Sequence, residues 1–107
     1  MAVAQLPPVE AQTLLKERGP AAELLDVREP SEYALVHVQG ARHIPMGQIP
    51  GRLEELDSQR TYVVMCHHGG RSQRVAEFLA AQGYQAVNLA GGIDAWAADL
   101  EPSLPRY

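Results

Sequence analysis

The chain is short of the residues that cross-link proteins, cross membranes or grip nucleic acids. Only one of its 107 residues, Cys66, is a cysteine, which excludes an internal disulfide and leaves a free thiol. No apolar run approaches the roughly 20 residues that span a bilayer, so no membrane partner is expected. Met1 to Gln12 lacks the basic start and apolar stretch of a signal peptide, and a reducing cytoplasmic setting is the natural expectation. Basic residues number 9 against 13 acidic ones, and the formal net charge of −4 argues against a nucleic-acid partner. There is no repeat, low-complexity segment or linker, and the length excludes a second domain. A single domain over residues 1–107 is expected, large enough to bury about 60 to 70% of the surface its unfolded chain exposes.

What is present gathers around that cysteine. Tyr62, Val63, Val64 and Met65 read as a buried strand, and Val75, Phe78, Leu79 and Gln82 recur at helical spacing. Between them lies Cys66, His67, His68, Gly69, Gly70, Arg71, a glycine-containing turn from strand into helix. Such a turn lets successive backbone amides point inward, and the helix dipole adds positive potential at the same spot. A thiol there ionises below its free value of about 8.5, and the thiolate is a nucleophile. No acid lies between Asp57 and Glu77, while Arg60, Arg71, Arg74 and two histidines do. A basic locality within an acidic protein favours a small anionic substrate.

Elsewhere, Ala11, Leu14 and Leu15 form a helical stripe that stops at Gly19 and Pro20, and Ala22 to Val27 make a compact strand. Pro30, Ser31 and Glu32 open a short helix carrying Tyr33 and Val36, closed by Gly40 before an extended piece from Arg42 to Pro45. A further helix is expected near Pro50, with Ile49, Leu53 and Leu56 inward. Another runs from about Ser72 to Gln82 and is capped by Gly83. Ala86 to Leu89 is a strand, and Gly91 and Gly92 turn into a last helix with Ile93 and a core Trp96. Their spacing is not that of a dinucleotide fingerprint. The proline-rich ends, Met1 to Pro8 and Glu101 to Tyr107, are expected to be loosely held. This alternation predicts an α/β fold with a mainly parallel central sheet and helices on both faces, its ligands lying beyond the strand carboxyl ends. Cys66, Asp26 and Arg28 all fall on that edge.

Four landmarks in order resemble the rhodanese-like sulfurtransferases in their short single-domain form. They are Leu24 to Glu29, His37 to Pro45, the Cys66 loop, and Gly91 to Trp96. The resemblance covers nearly the whole chain and implies a three-layer α/β sandwich whose cysteine carries sulfur as a persulfide. On that reading Cys66 attacks the outer sulfur of a donor such as thiosulfate, sulfite departs, and cyanide or a thiol later removes the bound sulfur. His67, His68, Gly69, Gly70, Arg71 and Ser72 are the expected substrate-binding loop, their amides surrounding the terminal sulfur and Arg71 facing the departing anion. Asp26 and Arg28 are supporting residues, as a structural ion pair or cap, or by orienting the loop. His37 and His43 are expected to be structural hydrogen-bonders.

No metal or organic cofactor is required. His67 and His68 are neighbours whose side chains do not easily face one point, no nearby acid completes a ligand set, and both are placed on the rim. Two other functions fit parts of the pattern. A persulfide relay between protein partners would use the same residues. A cysteine phosphatase or arsenate reductase also sets a thiolate in an amide nest before an arginine, but only four residues, His67 to Gly70, separate Cys66 from Arg71. That ring is one residue tighter than in the phosphatases, and suits one sulfur atom better than a tetrahedral oxyanion.

Overall fold

Alternate residues of a strand face opposite sides of its sheet, and here both sides are apolar. In β4 (Thr61–Met65), Tyr62 and Val64 join Leu25, Ile49, Leu56, Val75 and Leu79 in one core, whereas Val63 and Met65 join Ala11, Leu24, Ile93 and Trp96 in another. Strands buried on both faces are those of a parallel sheet between helical layers. The computed structural model describes residues 3–107, and the expectations that touch Met1 and Ala2 fall partly outside it. Its five strands run in the order β1-β5-β4-β2-β3 with every neighbouring pair parallel. They are β1 (Gln5–Leu6), β2 (Ala22–Asp26), β3 (Arg42–His43), β4 and β5 (Gln85–Leu89). Helices α1 (Pro8–Arg18) and α4 (Gly92–Asp99) pack on one face, and α3 (Gly70–Ala81) on the other. The three-layer α/β sandwich expected from the sequence is the observed architecture. No helix among the described residues is long and apolar enough to cross a membrane.

Along the backbone the structure differs from the sequence reading in three main places, and the short helix expected to carry Val36 ends before it, at Leu35. Gln5–Leu6 is a strand on the sheet edge, with Gln5 opposite Asn88 and Leu6 opposite Leu89, so these two residues are tied down. Two residues carry no readable period. The segment Pro50–Glu55 forms 3₁₀ turns broken at Arg52 (φ −126°, ψ 21°), not a regular helix. Its amides bond three residues back, Arg52 N to Ile49 O at 3.1 Å and Leu56 N to Leu53 O at 3.0 Å, and Gly51 is a poor helix former. The third difference, the docking of residues 105–107, belongs to the site below.

Register places the chemistry. Asp26 lies opposite Met65, and the amide of Val27 donates to the Met65 carbonyl at 2.9 Å, so β2 and β4 end level and Cys66 emerges beside Val27. α2 (Pro30–Leu35) follows at the same edge. There Arg28 and Asp26 are both fully buried and form a bidentate pair, Nη2 to Oδ2 at 2.6 Å and Nε to Oδ1 at 2.9 Å. Arg28 also donates to the carbonyls of Val36 (2.7 Å) and Glu32 (3.2 Å), which fixes the C-terminal turn of α2. Burial opposes its charge, but the bonds to Asp26 and Tyr107 outweigh that and hold the guanidinium charged. His43 Nε2 bonds the Arg28 carbonyl at 2.8 Å, and His37 Nδ1 the Tyr33 carbonyl at 3.1 Å.

Removing one member of such a pair strands the other charge in a dry interior. Asp26→Ala is expected to cost about 3 to 5 kcal/mol of stability. Urea unfolding measures it, and a loss below about 1 kcal/mol would show that the pair does not organise this edge.

Candidate active site

Cys66 directly follows β4 and is only 1% exposed, yet its sulfur is surrounded by donors. The Gly69 amide reaches Sγ at 3.0 Å and the Ser72 hydroxyl at 3.3 Å, and the amides of Arg71 and Ser72 also point to it. These amides belong to the loop and the first turn of α3, where no intrahelical acceptor exists for them. Gly69 makes the turn possible. Its φ of +110° suits a residue without Cβ, and an added Cβ would stand 3.4 Å from the Gly91 nitrogen. Burial pushes the Cys66 thiol up, but hydrogen bonds from the Ser72 hydroxyl and from the Ser72, Gly69 and Arg71 amides outweigh it and hold the thiol below its ordinary value.

The loop's carbonyls are taken by a different helix. Ile93 N donates to Cys66 O at 2.8 Å and Asp94 N to His67 O at 3.2 Å, so the start of α4 grips the loop from behind. Gly92 permits this approach. A Cβ there would lie 2.4 Å from His67 O and 2.5 Å from Cys66 O.

Ser72 and Asn88 form a buried polar pair behind the sulfur. Asn88 Nδ2 donates to Gln5 Oε1 (2.8 Å) and Gly69 O (3.1 Å), which leaves its Oδ1 to accept from Ser72 at 2.6 Å. The Ser72 hydroxyl has one proton and two acceptors, Asn88 Oδ1 and Cys66 Sγ. An ionised sulfur is the stronger acceptor, so loss of the thiol proton draws the hydroxyl toward Sγ. Asn88 and Gln5 escaped the sequence reading. An amide within the apolar run from Ala86 to Leu89 was the available signal for Asn88, and Gln5 had none.

The basic locality expected from the sequence is corrected by folding. Glu32 of α2 lies against Arg71 in a two-armed pair, Nη1 to Oε1 at 2.6 Å and Nη2 to Oε2 at 2.9 Å, so the guanidinium is not a free cation. Arg71 holds the Glu32 carboxyl down to about 2, aided against burial by the Glu29 amide and the Tyr107 hydroxyl. Tyr107 Oη accepts from Arg28 Nη1 at 2.9 Å and donates to Glu32 Oε2 at 2.8 Å. A continuous chain of bonds, Asp26 to Arg28 to Tyr107 to Glu32 to Arg71, thus borders the loop. Asp26 and Arg28 meet the site through this chain, with Asp26 bonded to Arg28, and Arg28 in turn to α2 and Tyr107.

The histidines are also displaced from their expected place. His68 remains on the rim at 68% side-chain exposure, but His67 is stacked between His68 and the Tyr107 ring, at centroid distances of 3.8 Å on each side. The expectation that no acid stands near them fails too. Asp94, from the start of α4, lies within 4.8 Å of ligand atoms on both histidines. Both oxygens of Asp94 already accept from Arg106, at 2.9 and 3.0 Å. A shallow cleft of about 380 Å³ follows the opposite rim of the loop, bounded by Gln5, His68, Gly69, Gly70, Gln73 and Asn88.

Comparison with known proteins agrees with this geometry. Residues 8–99 match the Rhodanese-like domain family. YtwF of Bacillus subtilis, which carries the name of a sulfurtransferase, is 43% identical over 91 residues, covering 82% of this chain and 88% of that protein. The thiosulfate sulfurtransferase GlpE of Pseudomonas fluorescens is 38% identical over 93 residues, covering 86% of this chain and 83% of its own. Among solved structures, a rhodanese-like domain protein from Staphylococcus aureus superimposes with a TM-score of 0.83 at 32% identity, over 98% of this chain and 99% of that one.

Two outcomes are expected from the site's hydrogen bonds. In Ser72→Ala, the pH midpoint for alkylation of Cys66 should rise by about one unit, the worth of one bond to a charged group. An unmoved midpoint would remove Ser72 from thiolate stabilisation. Glu32 has a folded value of about 2 against an ordinary 4.5, so its stabilisation is complete above pH 4.5 and is lost as pH falls from there toward 2. Glu32→Gln should therefore flatten the fall in melting temperature over that window, and an identical acid profile would rule the pair out as its source.

Proposed function

The chain belongs to the rhodanese-like family, whose relatives above are named sulfurtransferases, and on that premise we propose that Cys66 carries a sulfane sulfur from a small anionic donor to a thiophilic acceptor. The observation that carries the reading is the set of donors closing on one sulfur atom, with Gly69 N at 3.0 Å and the Ser72 hydroxyl at 3.3 Å. In the first step the Cys66 thiolate attacks the outer sulfur of thiosulfate. A new S–S bond forms, the donor's S–S bond breaks, and sulfite leaves with its electron pair. The product is a persulfide on Cys66 whose terminal sulfur is anionic. In the second step cyanide or a thiol attacks that terminal sulfur, and Cys66 departs as a thiolate, ready for another cycle.

Each loop residue has a part in this chemistry. The amides of Gly69, Arg71 and Ser72 stabilise negative sulfur before and after loading, and Gly70 opens α3 so that those amides face the nest. His67 and His68 shape the wall toward α4. Arg71, tethered by Glu32, offers its remaining field to the donor and to departing sulfite. No step draws on a metal or an organic cofactor. The thiol must stay reduced between turnovers, which suits the cytoplasm as the working compartment. A protein persulfide as donor would use the same groups.

Thiosulfate treatment of the whole chain followed by intact-mass measurement tests the reading. One added sulfur, removable by cyanide and absent from Cys66→Ser at unchanged melting temperature, is expected. Sulfur retained by the serine variant, or no loading of the parent from thiosulfate or from a protein persulfide, would end it.

A further inference from the structure

The buried thiol poses a question of access. At 1% exposure, Cys66 meets no reagent larger than its nest unless a neighbour yields. Backbone fixes most of the loop, since β4 leads directly into Cys66, the first turn of α3 aims its amides at Sγ, and the Ile93 and Asp94 amides grip the Cys66 and His67 carbonyls with Gly92 leaving no slack. The remaining border is built of side chains. There the Arg71–Glu32 pair is joined by residues 105–107, the Tyr107 ring parallel to His67 at 3.8 Å and 10° and its hydroxyl bridging Arg28 and Glu32. Between His67, Ile93, Asp94 and this tail there is no room for a water molecule.

This segment is held to the site by side-chain contacts. Arg106 ties it to Asp94 by an exposed ion pair, of a kind worth little in water, and Tyr107 itself is 40% exposed. Segments with few buried contacts open at the lowest free energy. A bulky reagent that approaches Cys66 from this side therefore has to displace residues 105–107.

We propose that Tyr107 is the specificity-determining residue of this site, a cover over His67 and the Arg71–Glu32 pair that admits small reagents to Cys66 and holds back large ones. Its ring supplies the barrier through the stack on His67, and its hydroxyl supplies the latch through Glu32 and Arg28. For the sulfur-transfer reading, on which this consequence rests, Tyr107 discriminates between a small acceptor such as cyanide and a bulky thiol or a protein acceptor. A large acceptor gains entry by supplying its own contacts to the surface that Tyr107 vacates.

The test follows covalent modification and needs no turnover, so it stands whether or not sulfur transfer is found. Parent, Tyr107→Ala and Tyr107→Phe are treated separately with iodoacetamide and with a bulky N-aryl maleimide, and intact mass follows the labelling of Cys66. For each reagent the variant's rate is divided by the parent's. Loss of a stacked ring and two hydrogen bonds should speed the maleimide in Tyr107→Ala about tenfold more than it speeds iodoacetamide. Tyr107→Phe, which keeps the ring, should recover most of the parent's discrimination. Equal acceleration of both reagents would mean general loosening of the loop, and no acceleration would mean entry by the cleft at Gln73 and Asn88; either result overturns the proposal.

Discussion

The site depends on a division of the loop's backbone between two helices. Donors from Gly69, Arg71 and Ser72 turn inward to one sulfur, and the carbonyls of Cys66 and His67 turn outward to the amides of Ile93 and Asp94. Each group needs the other. Without α4 behind it, the loop would bury two unsatisfied carbonyls, and without the sulfur the amides at the start of α3 would face an empty nest. Gly92 is the hinge of this arrangement, because any side chain there would strike both carbonyls and push the loop out of register with the helix. The last two landmarks of the sequence, the cysteine loop and the Gly-Gly turn, are therefore one structural unit.

Around that unit the charges are paired. An acidic protein would repel an anionic donor, and an unopposed cluster of arginines would offset this, yet Arg71 meets Glu32 and Arg28 meets Asp26. With Arg71 tethered, more of the attraction for an anion falls to amide dipoles, which carry no net charge and cannot be neutralised by an acid from another helix. The pairs do something else. Through Tyr107 they join the buried edge of the sheet to the mouth of the site, so that the position of Arg71 is set by the same bonds that pin α2.

Much of this was readable in advance because it rests on local rules. The strand before Cys66, the glycine turn and the helix after it were written in hydrophobic periodicity and in residue type, and the alternation of elements sufficed for a parallel sheet with two helical layers. What escaped came from long separations. Glu32 and Arg71 are 39 residues apart, Tyr107 and Arg28 79, and Asn88 and Gln5 83, and no spacing rule connects them. The stretch between Asp57 and Glu77 looked free of acid because charge was counted along the chain, while Glu32 and Asp94 arrive through space from α2 and α4. The same limit explains the tail. Its prolines suggested loose ends, but a single aromatic with a hydroxyl found a stacking partner and two charged ones.

Burial and reactivity at Cys66 look opposed and are linked. Taking a thiol out of water raises the cost of its charge, and by itself would leave the sulfur inert. In the same dry setting a hydrogen bond to a charged atom is stronger than it would be at the surface, since no water competes for the donor. Several such bonds converge here, and together they overcome the burial that strengthens them. The balance is sensitive to the Ser72 proton, which Asn88 holds while the sulfur is neutral and releases when it is charged. Ionisation is thus coupled to a rotation of one hydroxyl deep in the sheet edge.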